Sequence, residues 1–321
     1  MTQREFRKKS FIILGLTVLL LICMVWDTTA FRHSSGESSS AATKTTKTAS
    51  SVSTGSALVT DVQAVWISFG DYKAAGLYNK SQSAFQANAN KYFKKLKKDG
   101  INTIYFHVAP CNDAIYPSKY LKWSSYMFES APDYDPLEIL IQTAHKNKMT
   151  FHAWLNPYRK KMGVSYDPGK ASSLKRIRRI VAEIVQNYNV DGIHFDDYFY
   201  PNLDLATWLS EDGYIDYIVP QIYWSDQYRM GRKVTSLYTN RLNKWVNLNK
   251  NNTPMYIGLA TYRAGTYSSS DLGWRRKNNN LVSQIKKEKA AGCDGFVLFS
   301  SSYMYHSRAA KEMKNYRNYI R

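Results

Sequence analysis

Apolar runs of strand length recur along the chain after residue 60, and each is followed by a polar segment that can form a helix. This alternation is typical of a parallel sheet wrapped by helices, either an open doubly wound sheet or a closed barrel. Helical spacing of apolar residues predicts crossover helices over residues 84–98, 136–146, 171–188 and 281–291. The strand-like runs cover residues 62–69, 101–108, 150–157, 190–199, 215–224, 254–261 and 295–302.

Polar residues within these runs favour the barrel. A buried parallel strand is ordinarily apolar, so polar groups at the carboxyl ends of successive strands indicate a barrel mouth, where active sites lie. Because side chains alternate along a strand, one face carries nine such residues: Tyr105, His107, His152, Trp154, Asn156, His194, Asp196, Gln221 and Tyr223. The predicted fold is therefore an α/β, TIM-like (β/α) barrel with seven recognisable strands. No dinucleotide-binding or Walker loop follows the first strand, so we expect no nucleotide cofactor.

The first sixty residues have a different character. Four cationic residues precede an apolar run over residues 11–26, which is the pattern of an export signal. Residues 1–30 are predicted to be a signal anchor or a cleaved signal peptide. Residues 31–60, rich in Ser and Thr, are predicted to be a disordered linker. Either form of export places the predicted domain, residues 61–321, on the extracellular face of the cytoplasmic membrane or in the cell wall.

The net charge indicates which binding partners to expect, and the cysteine content indicates whether disulfides or a metal site are expected. The 44 Lys and Arg against 25 Asp and Glu give a net charge of +19, which favours anionic wall polymers or lipid headgroups. Nucleic acid is not expected, because an exported protein seldom meets it. The folded part has only Cys111 and Cys293, far apart in sequence, so no disulfide framework or metal site is predicted. The sequence makes no prediction of oligomeric state.

Two adjacent carboxylates, Asp196 and Asp197, follow an apolar strand and enter an aromatic loop closed by Pro201. Strand alternation places His194 and Asp196 on one face and Asp197 on the other. Asp196 is therefore the better candidate for a carboxylate aimed into a pocket. The alternative is that it caps the next helix, since Asp commonly takes that position.

Four ordered segments carry a resemblance to a known family. They are INTIYFHVAP with DAIYPSKY (residues 101–120), HAWLNPYR (152–159), DGIHFDDYFYP (191–201) and IDYIVPQIYW (215–224). Together they resemble the bacterial glycosyl-hydrolase-like family 10 domain over most of residues 61–301. The resemblance implies a TIM-like barrel at the cell surface and a glycosidase acting on cell-wall or exopolysaccharide glycans, with peptidoglycan-type amino sugars as the expected class.

Glycoside hydrolysis usually requires two carboxylates, one of which protonates the leaving oxygen. Asp196 suits the acid, because a partly dry pocket favours the protonated form of a carboxyl group. The second carboxylate stays open between Asp197, Asp113 and Asp226. Alternatively, an N-acetyl group of the substrate supplies the nucleophile and an Asp-Asp pair assists it.

The remaining candidates would contact sugar hydroxyls or stack on pyranose faces. A strand histidine can equally be a core residue, and His194 can simply hydrogen-bond Asp196. The candidate substrate-binding residues are His107, Asp113, His152, Trp154, Asn156, Arg159, His194, Tyr198, Gln221, Tyr223 and Trp224.

This chain departs from the family pattern in one place. Only residues 201–214 separate the DDYFYP segment from the next matching segment, so about one strand-helix unit is absent. A parallel crossover needs at least about ten to twelve residues, which makes the connection possible but tight. An inactive surface protein that still binds carbohydrate, or a wall-associated structural protein, therefore remains an alternative to the enzyme.

Overall fold

The computed structural model describes residues 21–23, 61–161, 164–196 and 205–321. Its strands are β1 (Leu21–Cys23), β2 (Val62–Ile67), β3 (Thr103–Ala109), β4 (Asp113–Ala114), β5 (Lys122–Trp123), β6 (Thr150–Leu155), β7 (Arg159–Lys161), β8 (Val164–Ser165), β9 (Gly192–Phe195), β10 (Tyr217–Val219), β11 (Tyr228–Met230), β12 (Lys233–Thr235), β13 (Tyr256–Leu259) and β14 (Gly295–Leu298).

The α-helices lie between the strands, except for α8, which follows the last strand. They are α1 (Gln82–Lys98), α2 (Pro136–Lys146), α3 (Ala171–Asn187), α4 (Leu205–Trp208), α5 (Leu237–Leu248), α6 (Gly273–Arg276), α7 (Asn280–Ala290) and α8 (Ala310–Tyr319). The four predicted crossover helices correspond to α1, α2, α3 and α7, with ends shifted by at most two residues.

Six parallel strands form the main sheet in the order β13-β14-β2-β3-β6-β9, and this sheet curls as part of a barrel. Strand β10 continues it beside β13 through two parallel bridges, Ile218 to Met255 and Gln221 to Gly258. All seven predicted runs thus contribute parallel strand or bridge pairing. The predicted α/β, TIM-like architecture is confirmed at this level.

Helix α1 shows how the local sequence produces this layering. Its buried residues fall at helical spacing and face the sheet, while its lysines are exposed. The helix ends at Asp99, and Gly100 follows with a φ of +88°, a conformation that glycine adopts without strain. Helix α2 begins similarly at a defined cap, since the Asp135 side chain accepts hydrogen bonds from the backbone N–H groups of Leu137 and Glu138.

The apolar residues form two buried clusters on opposite faces of the curled sheet. The larger cluster lies between the strands and the helices, for example Val65 and Ile67 of β2. The smaller cluster fills the inside of the curl and contains Val62, Ala64, Trp66, Tyr105, Trp154, Tyr217, Val219, Tyr256 and Val297. Alternate residues of one strand therefore belong to different clusters, as strand geometry requires.

The seam between β9 and β10 is where the predicted strand-helix unit is absent. In the described residues between these strands, 205–216, the helix α4 has only four residues and no strand is present. Strand β1 pairs antiparallel with β10 and also lies against β9. Main-chain pairing between β9 and β10 themselves is absent from the described part of the chain.

Most of the predicted export segment and all of the predicted linker, residues 31–60, lie outside the described residues. Within the ranges that are described, no helix is long and apolar enough to cross a membrane. The anchor or signal peptide, and the boundary near residue 61, therefore stay predictions.

Candidate active site

Strand register brings the inward-facing residues of β3, β6 and β9 into two layers. Tyr105, His152 and Gly192 lie side by side in the lower layer. The absence of a side chain at position 192 is required, because a Cβ atom there would lie 2.5 Å from His152 Nδ1. The upper layer contains His107, Trp154 and His194.

A hydrogen-bond chain crosses the interior and joins His194 of the upper layer to His152 of the lower layer. Trp66 Nε1 donates to His194 Nε2 at 2.9 Å, and His194 Nδ1 lies 3.3 Å from the Tyr217 hydroxyl. The Tyr217 hydroxyl also lies 3.0 Å from His152 Nδ1. Because His194 Nε2 accepts a hydrogen bond, the neutral ring carries its proton on Nδ1 and donates it to Tyr217.

Burial keeps both of these histidines neutral. It lowers the pKa of His194 well below the usual range, and it lowers the pKa of His152 to about 4. Their partners tie β6 and β9 to Tyr217 of β10, across the seam that lacks main-chain pairing. This geometry favours the core role for His152 and His194, and their predicted contacts with sugar remain predictions.

His107 and Trp154 form the floor of the mouth. Their rings are stacked with centroids 3.8 Å apart and an interplanar angle of 7°. Both are buried, yet neither His107 ring nitrogen nor Trp154 Nε1 has a partner in hydrogen-bond geometry among the described residues, although the Asn156 side chain is near His107. Burial, and then the positive charge of Arg159, lower the pKa of His107, so the ring is neutral. Its nitrogens suit a hydroxyl-bearing ligand.

Asp196 follows the last residue of β9, and its backbone N–H donates to the Leu155 carbonyl at 3.0 Å. The residue is 6% exposed, so the predicted inward direction agrees with its burial. Burial raises the pKa of the neighbouring Tyr223 hydroxyl, and the charges of Tyr262 and Asp196 raise it further. Tyr223 packs edge-on against Tyr262, with ring centroids 5.5 Å apart, and lies 5.8 Å from Phe299. The charge of Asp196 therefore acts on a hydroxyl that belongs to an aromatic group of three rings.

Two of the proposed second carboxylates are described, and they differ. Asp113 accepts a hydrogen bond from the Cys111 backbone at 2.7 Å, and burial raises the pKa of its carboxyl group. Burial opposes ionisation of Asp226 too, but hydrogen bonds from Lys287 and Thr239 hold its pKa below the usual value. Asp226 accepts from both the backbone and the hydroxyl of Thr239 at 2.8 Å. Asp226 thus links α5 to α7 through these hydrogen bonds. This structural role argues against Asp226 as the second catalytic carboxylate.

The remaining predicted site residues differ in how close they lie to the mouth. Asn156 is buried and donates to the Pro110 carbonyl at 3.1 Å, while its Oδ1 has no hydrogen-bond partner in the described structure. Arg159 is buried near His107, and Gln221 is buried beside Gly258. Trp224 lies toward α5, with the Arg241 guanidinium 5.9 Å from its ring. Asp197 and Tyr198 lie outside the described residues.

Sequence reasoning missed several residues that shape this interior. Trp66 and Tyr217 complete the hydrogen-bond chain. Applying the alternation of inward and outward side chains to β2 and to the start of β10 would have identified both. Phe299 and Tyr262 form the aromatic wall. Asp71 is 1% exposed and accepts hydrogen bonds from the loops after β2 and β14, including 2.8 Å from both the Ser68 backbone and the Ser300 hydroxyl. It had no distinguishing sequence pattern.

The described residues contain no group of His, Cys, Asp and Glu placed to hold a metal ion. What the site does offer is a buried carboxylate, a neutral imidazole, amides and aromatic faces. This set can bind polyhydroxylated rings and transfer a proton.

Comparison with known proteins agrees with this architecture. Residues 61–165 and 159–205 match the family model described as glycosyl hydrolase-like 10. Glycosyl hydrolase DigH of Escherichia coli (strain K12) is 25% identical over 332 residues, which covers 65% of this chain and 74% of that protein. Glycosyl hydrolase YngK of Bacillus subtilis (strain 168) is 33% identical over 140 residues, covering 35% of this chain and 28% of that protein.

Similarity of fold extends to solved structures. A chain described as a glycoside hydrolase matches with a TM-score of 0.50 and 13% sequence identity, covering 73% of this chain and 65% of that chain. At this identity the match concerns the fold alone. The family model, the two curated relatives and the four motifs together support a domain of the glycosyl hydrolase-like 10 type in this chain, with the model match confined to residues 61–205.

Proposed function

We propose that this protein is an exported glycoside hydrolase acting on cell-wall or exopolysaccharide glycans, with peptidoglycan-type amino sugars as the preferred class. The observation that carries the proposal is the buried Asp196, which lies at the carboxyl end of β9 next to the aromatic wall of Tyr223. Active sites of parallel barrels occupy this end of the strands. The family relationship supports the glycosidase class, whereas the glycan and the location are part of the proposal.

In the proposed reaction, Asp196 donates its proton to the glycosidic oxygen as the bond to the anomeric carbon breaks. The leaving sugar departs as an alcohol. The electron-deficient anomeric carbon is then captured by a carboxylate or by the N-acetyl oxygen of the substrate. Water completes hydrolysis and returns a proton to Asp196.

Asp113 and Asp197 are the candidates for the second carboxylate. Asp113 is supported by the raised pKa of its half-buried carboxyl group and by its place in the short strand β4, which follows β3. His107 and Asn156 would hold sugar hydroxyls through groups that have no protein partner in hydrogen-bond geometry within the described part of the chain. Trp154 would offer an aromatic face at the floor.

The test is digestion of peptidoglycan by the purified full chain, followed by measurement of new reducing ends. The Asp196→Asn variant should lose about 10²–10⁴-fold in rate, the usual contribution of a positioned acid. Asp133→Asn, which changes an exposed carboxylate in the loop before α2, is the matched control and should retain the parental rate.

A second function is supported by the short connection between β9 and β10. If the domain binds glycan without turnover, parent and Asp196→Asn will pull down equal amounts of peptidoglycan and release no reducing ends. That result would replace the hydrolase with a carbohydrate-binding surface protein.

A further inference from the structure

A two-stranded finger, β11 and β12, projects after β10 and differs from the rest of the surface. Its strands pair antiparallel, with Arg229 opposite Val234 and Met230 opposite Lys233. Gly231 begins the two-residue turn at a φ of +63°, the conformation that a tight hairpin turn requires of its first residue. All residues from 229 to 234 are exposed.

The finger exposes apolar side chains on both faces of its ribbon. Opposite partners in an antiparallel pair share a face, so Met230 lies on one face and Val234 on the other. Their side chains are 61% and 51% exposed. Single exposed apolar residues are common, but several at one projecting corner indicate an interaction surface.

An adjoining loop adds an aromatic residue to this corner. The loop is joined to the finger by a bridge between Tyr228 and Asp271 and by a hydrogen bond of 2.6 Å from the Arg229 backbone to the Ser270 carbonyl. It carries Tyr267, which is 69% exposed, the highest value among the large apolar and aromatic side chains of the described residues. The Arg275 guanidinium lies 4.5 Å from the centre of this ring.

The charge of the corner has one sign. The finger contributes Arg229, Arg232 and Lys233, and its sequence from 228 to 235 contains no acidic residue. In the adjoining loop and the start of α6, residues 264–275, the only carboxylate is Asp271, which is 0% exposed and accepts a hydrogen bond from the Ser225 backbone. Each face of the ribbon therefore combines an apolar side chain with a cation.

We propose that the finger and the adjoining loop insert into the headgroup region of an anionic lipid bilayer. Cations attract the protein to such a surface, and exposed apolar and Tyr side chains then enter the interface between headgroups and acyl chains. A soluble anionic polymer would satisfy the arginines and lysine but would give no burial to Met230 and Val234. The combination therefore favours a membrane surface, and the proposal is independent of the hydrolase chemistry.

The experiment is hydrogen exchange with mass spectrometry on the full chain in nanodiscs. Peptides that cover residues 226–236 should exchange more slowly with phosphatidylglycerol discs than with phosphatidylcholine discs. The N-terminal apolar segment is present in every sample, so it does not distinguish them. Unchanged exchange in β3 would verify that the fold is intact.

Two variants and one control separate the contribution of the apolar side chains from that of the positive charges. Met230→Ser with Val234→Ser, and Arg229→Gln with Arg232→Gln and Lys233→Gln, should each abolish the slower exchange. The control carries Lys91→Gln, Lys94→Gln and Lys98→Gln, which removes three exposed cations from α1. It should retain the parental protection.

Three results would overturn the proposal. One is equal exchange of residues 226–236 in both types of disc. Another is protection that persists in the Met230 and Val234 double variant, which would indicate adsorption by charge alone. The third is equal protection by soluble polyphosphate without a bilayer, which would identify an anionic polymer as the partner.

Discussion

Two sets of inward-facing side chains in this domain are built from the same residue types but differ in how their polar atoms are used. In the linked set, His152 and His194 are joined through Tyr217, and Trp66 donates to His194. In the stacked pair, His107 and Trp154 retain ring nitrogens without partners in hydrogen-bond geometry among the described residues. A buried polar group without a protein partner destabilises the fold unless a bound ligand or an ordered water completes its hydrogen bonds, and at the mouth a ligand can take that place.

This contrast predicts that the polar groups of the linked set contribute mainly to stability and those of the stacked pair mainly to binding. The largest expected effect is for His194→Leu, which leaves the indole N–H of Trp66 buried without its acceptor. We expect the free energy of unfolding to fall by about 2–4 kcal/mol. Urea unfolding measures this change. His194→Gln is the control, because its side-chain oxygen can accept from Trp66 and should recover part of the loss.

The second prediction concerns pH. The pKa of His152 is about 4 in the folded state and about 6.5 when unfolded. As pH falls from 6.5 to 4, the unfolded state takes up the proton first, and stability falls by up to about 3 kcal/mol. Above pH 6.5 this residue gives no pH dependence.

A second titrating group must be separated from this effect. Burial raises the pKa of Glu312 to about 7, so this carboxyl group takes up its proton more readily in the folded state than in the unfolded state. Its contribution to the free energy of unfolding therefore increases as pH falls. The two effects therefore oppose each other. The measurement is the difference between the parent and His152→Gln in urea unfolding at pH 7 and pH 4.5. An identical pH dependence in both proteins would refute a His152 that stays neutral in the folded state down to about pH 4.

A smaller effect is expected for Tyr217→Phe, which keeps the ring and removes only the hydroxyl that joins β10 to β6 and β9. The free energy of unfolding should decrease by about 1–2 kcal/mol. Thermal unfolding followed by circular dichroism will detect it. Tyr120→Phe is a suitable control, because Tyr120 is 50% exposed and a hydroxyl that faces water contributes little to stability. An equal loss in both variants would remove the special role of the seam.

The smallest change in stability is expected at the mouth. His107→Phe keeps the stack on Trp154 and removes two nitrogens without partners in hydrogen-bond geometry in the described structure, so the free energy of unfolding should change by less than about 1 kcal/mol. Glycan binding should weaken, as measured by peptidoglycan pull-down. A large loss of stability with unchanged binding would contradict the roles assigned to the linked set and the stacked pair.

Much of the fold was predictable because it depends on local periodicity. The seven strand-like runs and helices α1, α2, α3 and α7 appear where alternation and helical spacing place them. Strand parity also identified His107, Trp154, His194 and Asp196 as sharing one face. The shortened segment before β10 was evident from the spacing of the motifs.

The alternation of side chains along a strand could not predict at which level of the barrel a residue lies or which residues it hydrogen-bonds. His152 and His107 both face the interior of the curled sheet. Only the register between strands, which the tertiary structure sets, places His152 beside Gly192 and within reach of Tyr217. Asp226 likewise follows a strand as a catalytic carboxylate would, but helix packing brings Lys287 to it from far along the chain. Hydrogen-bond partners distant in sequence are decided by packing.

The sequence by itself therefore determined the class of fold, the order of its elements and the face that carries the polar residues, because backbone geometry repeats locally. The tertiary structure decided which of those residues are satisfied by the protein and which remain for a ligand. That distinction depends on distances of about 3 Å between atoms many residues apart, which only the packed chain defines.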